Sequence, residues 1–424
     1  MQMFGNRFQA SSSSTGVPRL YVEAMGCTLN RAETWMLAEA MRTSGYEIVP
    51  RPEDADVILF GTCVVIQRTE QVAMNALMRF LALGKEVIVS GCLPAARPEL
   101  LDGLPVRRIT PSQLPEAHRI LGLSRPVLDS VPRLDSLAVG IPIADGCLGA
   151  CSYCITKVAR PRLRSYRPEL IVENVKRALA MGYREIRLTA PDTAAYGTDI
   201  GSSLPELLEM VAGLEGDFMV RVGMMNPNTA SRIWDDLMEV YSHPRVFKFL
   251  HLPVQSGDDR VLRDMRRGYT VQEFEELVRD FRSRHEGLLS TDVIVGYPTE
   301  DEEAFRNTVE LVERVRPDIL NITRFSRRPG TPAWRLKPLP SQELKRRSRL
   351  LTELHRRISL ENNSRFVGRR MRVLVLEEGK GGTVLARAPS YRPVVLDAAP
   401  LGRWVEAEIV DYSFVYLRGR RVAD

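Results

Sequence analysis

No apolar run in this 424-residue chain is long enough to cross a bilayer. The longest spans Val57 to Ile66 and is interrupted by Gly61 and Thr62. The N-terminus (MQMFGNRFQASSSSTG) lacks a positive region followed by an apolar one, so a cytoplasmic protein with no membrane partner is expected. Cysteine is sparse: six residues, none beyond Cys154, too few for a secreted disulfide scaffold. A G-x-x-x-x-G-K-S/T phosphate loop is absent. Aromatics reach only 7%, but 44% hydrophobic and 26% charged residues make an ordinary globular composition and exclude global disorder. At about 150 residues per domain, the length suggests roughly three domains. A net charge of +6 permits a polyanionic partner without requiring one.

The pattern along the chain divides it into five parts. Residues 1–17, with the run Ser11–Ser14, read as a disordered lead-in. Residues 18–130 alternate buried strands with amphipathic helices, which predicts a doubly wound parallel sheet. Its strands are Leu20–Ala24, Glu47–Val49, Asp56–Phe60, Glu86–Ser90 and Arg107–Ile109, with helices at Arg31–Ser44 and Thr69–Leu83. Residues 131–340 repeat a strand–helix unit about six times, a partial (β/α)6 barrel smaller than the eight-unit closed form. Strands are expected at Val139–Ala144, Glu185–Thr189, Phe218–Gly223, Phe247–Leu252, Ser290–Val295 and Ile319–Thr323. Residues 341–363 form an amphipathic helix. Leu350, Leu351, Leu354 and Ile358 share its apolar stripe, and Lys345, Arg346, Arg347, Arg349, Arg356 and Arg357 lie on its other side. Residues 364–424 become short alternating strands separated by turns, as in a small five-stranded barrel.

Cys27, Cys63 and Cys92 each fall just past a strand end of the first domain, two of them directly after glycine (Gly26, Gly91). In an open parallel sheet those ends share one edge, where ligands bind. Buried cysteines acting as small hydrophobes are the plain alternative. Three such placements together favour a shared ligand site. The strongest signal is Cys147-Leu-Gly-Ala-Cys151-Ser-Tyr153-Cys154, on a glycine-punctuated loop after the first barrel strand. A structural zinc site takes four ligands, and no fourth Cys or His is near. An iron–sulfur cube is usually held by four cysteines. Three leave one iron open for a small molecule.

The CxxxCxxC loop with an aromatic before its last Cys resembles the radical S-adenosylmethionine enzymes. Gly26-Cys27-Thr28-Leu29-Asn30, Gly61-Thr62-Cys63 and Ser90-Gly91-Cys92 resemble the three auxiliary-cluster motifs of the methylthiotransferases. So do TAPDTAAYG, HLPVQSGDDRVLRDMRRGYT, TDVIVGYPTEDEEAF and FSRRPGTPAW downstream. The tail resembles that family's RNA-binding TRAM domain. Gly61 departs from the family's usual Asn, and Pro161 replaces a common Gly. The first domain also lacks the Asp-x-His pattern of cobalamin-binding relatives.

The resemblance implies two [4Fe–4S] clusters, one at Cys147, Cys151 and Cys154 and an auxiliary one at Cys27, Cys63 and Cys92. It implies S-adenosylmethionine as both methyl donor and source of a 5′-deoxyadenosyl radical, with an electron donor protein as partner. Cofactor-binding candidates are Tyr153, for adenine packing or as a loop anchor, and Asp192, for the cofactor ammonium or as a turn residue. Asn226 suits ribose or carboxylate, or an Asn-Pro turn, and Gln255 suits cofactor or substrate. His251 reads as a satisfied structural histidine. Lys157, Arg160, Arg162 and Arg164 are either a solvated face or phosphate and carboxylate contacts.

GCTLNRAET, TCVVIQRTEQ and CITKVARPRLRS look closest to the archaeal and eukaryotic branch. That branch makes the 2-methylthio derivative of N6-threonylcarbamoyladenosine at position 37, in the tRNA anticodon stem-loop. Arg327 and Arg328 are candidates for the threonyl carboxylate, or plain turn arginines. Isopentenyladenosine in tRNA and an aspartate of a ribosomal protein are alternative substrates. The tail, with 11 Lys/Arg against 8 Asp/Glu in residues 361–424, favours RNA. An iron–sulfur electron carrier or a zinc RNA-binding protein is the alternative from a different class.

Overall fold

A computed structural model describes residues 16–134 and 136–422. The expected lead-in, residues 1–17, lies outside the described residues apart from Gly16 and Val17. No helix among the described residues is long and apolar enough to cross a membrane.

The first layer runs β1 (Arg19–Ala24), α1 (Thr28–Thr43), β2 (Glu47–Ile48), β3 (Val57–Thr62), α2 (Gln67–Ala82), β4 (Glu86–Gly91), α3 (Leu93–Ala96), β5 (Val106–Ile109) and α4 (Ala117–Leu121). All pairings are parallel, in the order β2-β1-β3-β4-β5. The pleat sends alternate residues of β3 to opposite faces. Ile58 and Phe60 pack with Ala73, Leu77 and Phe80 of α2, while Val57 and Leu59 pack with Met36, Leu37 and Met41 of α1. Covered on both faces, the sheet is the doubly wound one read from the sequence.

The second part runs β6 (Ala138–Pro142), β7 (Ala144–Asp145), α5 (Ile155–Ala159), β8 (Arg164–Ser165), α6 (Pro168–Ala180), β9 (Glu185–Thr189), α7 (Leu204–Ala212), β10 (Met219–Val222), α8 (Pro227–Ala230), α9 (Trp234–Tyr241), β11 (Phe249–His251), α10 (Asp259–Asp264), α11 (Val271–Arg284), β12 (Leu288–Val295), α12 (Glu302–Val315) and β13 (Ile319–Arg324). Six parallel strands form two three-stranded sheets, β10-β9-β6 and β11-β12-β13, linked by a bridge between Val220 and Val246. The strand expected over Val139–Ala144 breaks at Ile143, because β7 leaves the barrel to pair antiparallel with β8. Helices α8 and α9 are separated by a tighter turn at Ser231–Ile233. Helix α10 was not foreseen; Asp258 caps it by accepting from Val261 N at 3.0 Å.

Helix α13 (Ser341–Ser364) buries Leu351, Leu354 and Ile358, but Leu350 is exposed and does not belong to the stripe. Much of its basic side is neutralised. Arg347 is buried against Glu300 (2.7 Å) and Glu343 (2.5 Å), Arg346 pairs with Glu302 and Glu343, and Arg357 with Glu313. The tail strands β14 (Arg370–Glu378), β15 (Val384–Arg387), β16 (Pro393–Leu396), β17 (Trp404–Tyr412) and β18 (Leu417–Arg421) close a barrel in the order β14-β15-β16-β18-β17.

This small barrel floors the larger one. Leu374, Leu376 and Tyr391 pack against Met219, Phe249 and Leu288, the first residues of β10, β11 and β12. Tyr391 stacks on Phe247 and Phe249 at centroid distances of 4.9 and 4.7 Å, and its hydroxyl donates to buried Glu185 at 2.9 Å. The strand ends that carry the cysteine loops are at the opposite end. Replacing Tyr391 with Ala removes the ring contacts and the hydrogen bond together. Calorimetry or denaturant melts are expected to show a loss of about 3–5 kcal/mol, felt by both barrels in one transition.

Candidate active site

The auxiliary trio is built from backbone first. Cys63 and Cys92 directly follow β3 and β4, and Cys27 precedes α1. Met25 N donates to Gly61 O (2.8 Å) and Cys92 N to Thr62 O (3.0 Å), so the three loops are stitched to one another. Asn30, buried on the first turns of α1, donates its amide to both Met25 O (2.6 Å) and Thr62 O (3.1 Å). Gly26 and Gly91 take positive φ (94° and 88°), and a Cβ at Gly26 would lie 2.7 Å from Cys63 Cβ. Only glycine permits that approach. Gly61 has its own reason: a Cβ there would overlap Thr34 of α1, so no side chain fits.

The second trio sits on the loop between β7 and α5, at the mouth of the barrel. Lys157 Nζ donates to Cys147 O at 2.7 Å, folding the loop over itself. Helix α5, which directly follows Cys154, packs onto α3, which directly follows Cys92. Ile155 and Ala159 share one buried cluster with Cys92, Leu93 and Ala96. The two cysteine loops thus face each other across a short helix pair.

All six cysteines are free; Cys27 is exposed, Cys63 and Cys92 are buried, and the other three are intermediate. Burial raises the Cys92 thiol to about 12 and the Cys147 thiol to about 11, and thiols of the same trio add to each rise. Arg160 beside Cys92 and Lys157 beside Cys147 pull the other way. Such trios become thiolates when a cationic centre binds. Among the described residues, no three His, Cys, Asp or Glu side chains are grouped to hold a single ion. A cube gives each thiolate a different iron, and its sulfurs stand further apart. Each trio offers thiols alone, the donor chemistry that an iron–sulfur cube takes.

The other expected residues divide. Asn226 lies beside the loop: a Cβ at Gly149 would be 3.6 Å from Cys151 Sγ and 3.8 Å from Asn226 Nδ2. Asp192 acts through it. One carboxylate oxygen accepts from Asn226 N (3.0 Å) and the other from Thr229 Oγ1 (2.8 Å), so its role is that of a brace. Gln255 holds a φ of 73°, rare outside glycine, at the mouth beyond β11. Tyr153 packs beside Val261, Met265 and Tyr297. His251 is bound to Asp292 Oδ1 at 3.0 Å, a satisfied structural histidine. Two expected substrate contacts need correction. Arg160 is buried and ion-paired with Glu33 and Asp145, and Arg328 is buried and ion-paired with Glu70 of α2. Neither faces solvent, and each joins the two α/β layers through its ion pair. Arg327 remains exposed, its guanidinium 5.1 Å from the Trp334 ring centroid. Sequence reading missed Arg267, which donates to Cys151 Sγ (3.2 Å), Asn226 Oδ1 (3.2 Å) and Tyr269 OH (2.9 Å). Its only signal was membership of the MRRGYT segment.

A three-cysteine loop at the mouth of an open α/β barrel is how one enzyme class generates radicals from S-adenosylmethionine at a [4Fe–4S] cluster. The Radical SAM superfamily matches residues 141–312, and the chain is a radical SAM enzyme. An uncharacterized protein family, UPF0004, matches residues 19–108, and the TRAM domain matches residues 364–422. A relative from Archaeoglobus fulgidus, named a probable threonylcarbamoyladenosine tRNA methylthiotransferase, is 45% identical over 96% of this chain and 99% of its own. The threonylcarbamoyladenosine tRNA methylthiotransferase of Homo sapiens is 32% identical over 98% of this chain and 76% of its own. A radical S-adenosylmethionine methyltransferase structure from Kitasatospora setae shares the fold (TM-score 0.57, 14% identity, 74% of this chain and 76% of that one). This chain belongs to the threonylcarbamoyladenosine tRNA methylthiotransferase family.

Thiol reactivity follows from burial. In metal-free protein, iodoacetamide is expected to alkylate exposed Cys27 first and Cys92 last. Alkylation of Cys147, about 10⁻³ thiolate at pH 8, should accelerate about tenfold per pH unit between pH 7 and 10. Peptide mass spectrometry reads both; uniform labelling would contradict the assigned environments.

Proposed function

We propose that the enzyme converts N6-threonylcarbamoyladenosine at position 37 of tRNA to its 2-methylthio form, using two [4Fe–4S] clusters. The observation that carries this reading is the end-to-end match to relatives named for that reaction, at 45% identity over 99% of the archaeal chain. When bound, the clusters and S-adenosylmethionine supply a radical oxidant, a methyl group and a sulfur carrier. The chain binds, orients and excludes water. Cys147, Cys151 and Cys154 hold the radical-forming cluster, and Cys27, Cys63 and Cys92 hold the auxiliary one. Asn226, Gln255 and Tyr153 contact S-adenosylmethionine, with Asp192 and Arg267 fixing Asn226. Lys157 and Arg327 are left for the tRNA, Arg327 facing the threonyl carboxylate.

In this division of labour, residues 18–130 carry the auxiliary site, 131–340 the radical unit, 341–363 the connecting helix and 364–424 the RNA-binding barrel. The anticodon stem-loop is the substrate, a separate protein donates electrons, and the cytoplasm is the compartment. The test is mass spectrometry of tRNA nucleosides from a deletion strain. Loss of the 2-methylthio threonylcarbamoyl nucleoside is expected; its persistence alongside loss of another modification would overturn the substrate. Anaerobic iron and sulfide should amount to two clusters per chain. Changing Cys147, Cys151 or Cys154 to Ala should abolish S-adenosylmethionine cleavage. Changing Cys27, Cys63 or Cys92 to Ala should leave cleavage but no methylthio product, and full product formation would refute the second cluster.

A further inference from the structure

Helix α1 reaches both cysteine trios from one face. Asn30 ties the auxiliary loops together, as described above. One turn later, Glu33 extends to Arg160, which follows the second trio. Both are almost wholly buried, at 4% and 2% exposure. Arg160 Nη1 donates to Glu33 Oε1 at 2.8 Å and to Asp145 Oδ1 at 2.5 Å, and Nη2 donates to Glu33 Oε2 at 2.5 Å. Asp145 ends β7, just before Gly146 and Cys147; Arg160 comes just after α5. Their ion pair therefore closes the neck of the CxxxCxxC loop, and the same guanidinium bolts that neck to α1. The neck is tight: Gly146 has a φ of 72°, and a Cβ there would overlap the Arg162 carbonyl. Arg160 follows Ala159, which shares a buried cluster with Cys92, so one cation borders the necks of both sites.

A well-packed apolar trio would join the two layers without the desolvation cost of buried charge. A forked guanidinium–carboxylate pair does what an apolar contact does not: it fixes distance and angle together. We infer that Glu33, Arg160 and Asp145 form a positioning device that sets the spacing between the two cysteine trios, so that one substrate nucleoside held between them reaches both. The inference rests on the two-cluster reading above. Chemistry that needs both sites is sensitive to placement, since about 1 Å of error can cost on the order of 100-fold in rate.

The test uses full-length enzyme reconstituted anaerobically, as wild type, Glu33→Gln and Glu33→Asp. Three quantities are measured: iron and sulfide per chain, the dipolar coupling between reduced clusters by pulsed electron paramagnetic resonance, and 5′-deoxyadenosine formed per methylthiolated tRNA. Glu33→Gln is expected to keep its iron, broaden the coupling distribution and raise the 5′-deoxyadenosine-to-product ratio on the order of 10- to 100-fold. Glu33→Asp, which keeps the charge on a shorter arm, should fall between. Wild-type iron with unchanged coupling and ratio in Glu33→Gln overturns the inference. Should Glu33→Gln lose its iron by misfolding, the same comparison on Glu33→Asp decides. A wild-type enzyme with one cluster and no dipolar partner would instead refute the two-cluster reading, and the inference with it.

Discussion

Parallel strands deliver all their carboxyl ends to one edge, and both cysteine sites depend on that constraint. Cys27, Cys63 and Cys92 are far apart in sequence, yet each leaves the same edge of the first sheet. Hydrogen bonds between neighbouring loop backbones do the rest, and Asn30 locks the result. The barrel repeats the geometry with a different device. There β7 turns out of the sheet and pairs with β8, so the CxxxCxxC loop becomes a closed lobe over the strand ends. Packing α5 on α3 brings the two edges together.

Buried charge is the second theme. Glu33 with Arg160, Glu70 with Arg328 and Arg97, Glu300 with Arg347, and Asp318 with Arg392 each join segments distant in sequence. Removing one partner of such a pair costs about 3–5 kcal/mol, because the other charge is left buried alone. The ties involving Arg160 and Arg328 join the first layer to the barrel at two separate points, Glu33 of α1 and Glu70 of α2. The first layer therefore meets the barrel through rigid, directional contacts as well as through apolar packing.

The fold was legible because its signals are local. Alternating apolar runs and helical periods located every strand of the first sheet and all six of the barrel. The departures were local too: β7 strays because its hydrogen-bonding partner lies twenty residues on, and Leu350 sits one step off the stripe of α13. The placement of the six cysteines on loops beyond strand ends was legible through spacing and strand context. Arg160 and Arg328 were misread because a sequence shows a charge without showing its counter-charge. Their partners, Glu33 and Glu70, lie 127 and 258 residues away. Arg267 went unnoticed for the same reason: its contact with Cys151 bridges 116 residues.

The small barrel closes the end of the large one that is remote from the cysteines, and this constrains how RNA is held. On the proposed function, a tRNA touching both ends must run along the flank of the molecule. Helix α13 lies on that flank, with Lys345 and Arg349 exposed and Arg356 beside Phe414, at 5.4 Å from its ring centroid. Tyr412, Phe414 and Tyr416 are exposed at the adjoining tip of the small barrel, where aromatic faces suit unstacked bases. Since Arg346, Arg347 and Arg357 are already paired with glutamates, phosphate contact along this helix falls first to its cations outside those pairs, Lys345, Arg349 and Arg356 among them.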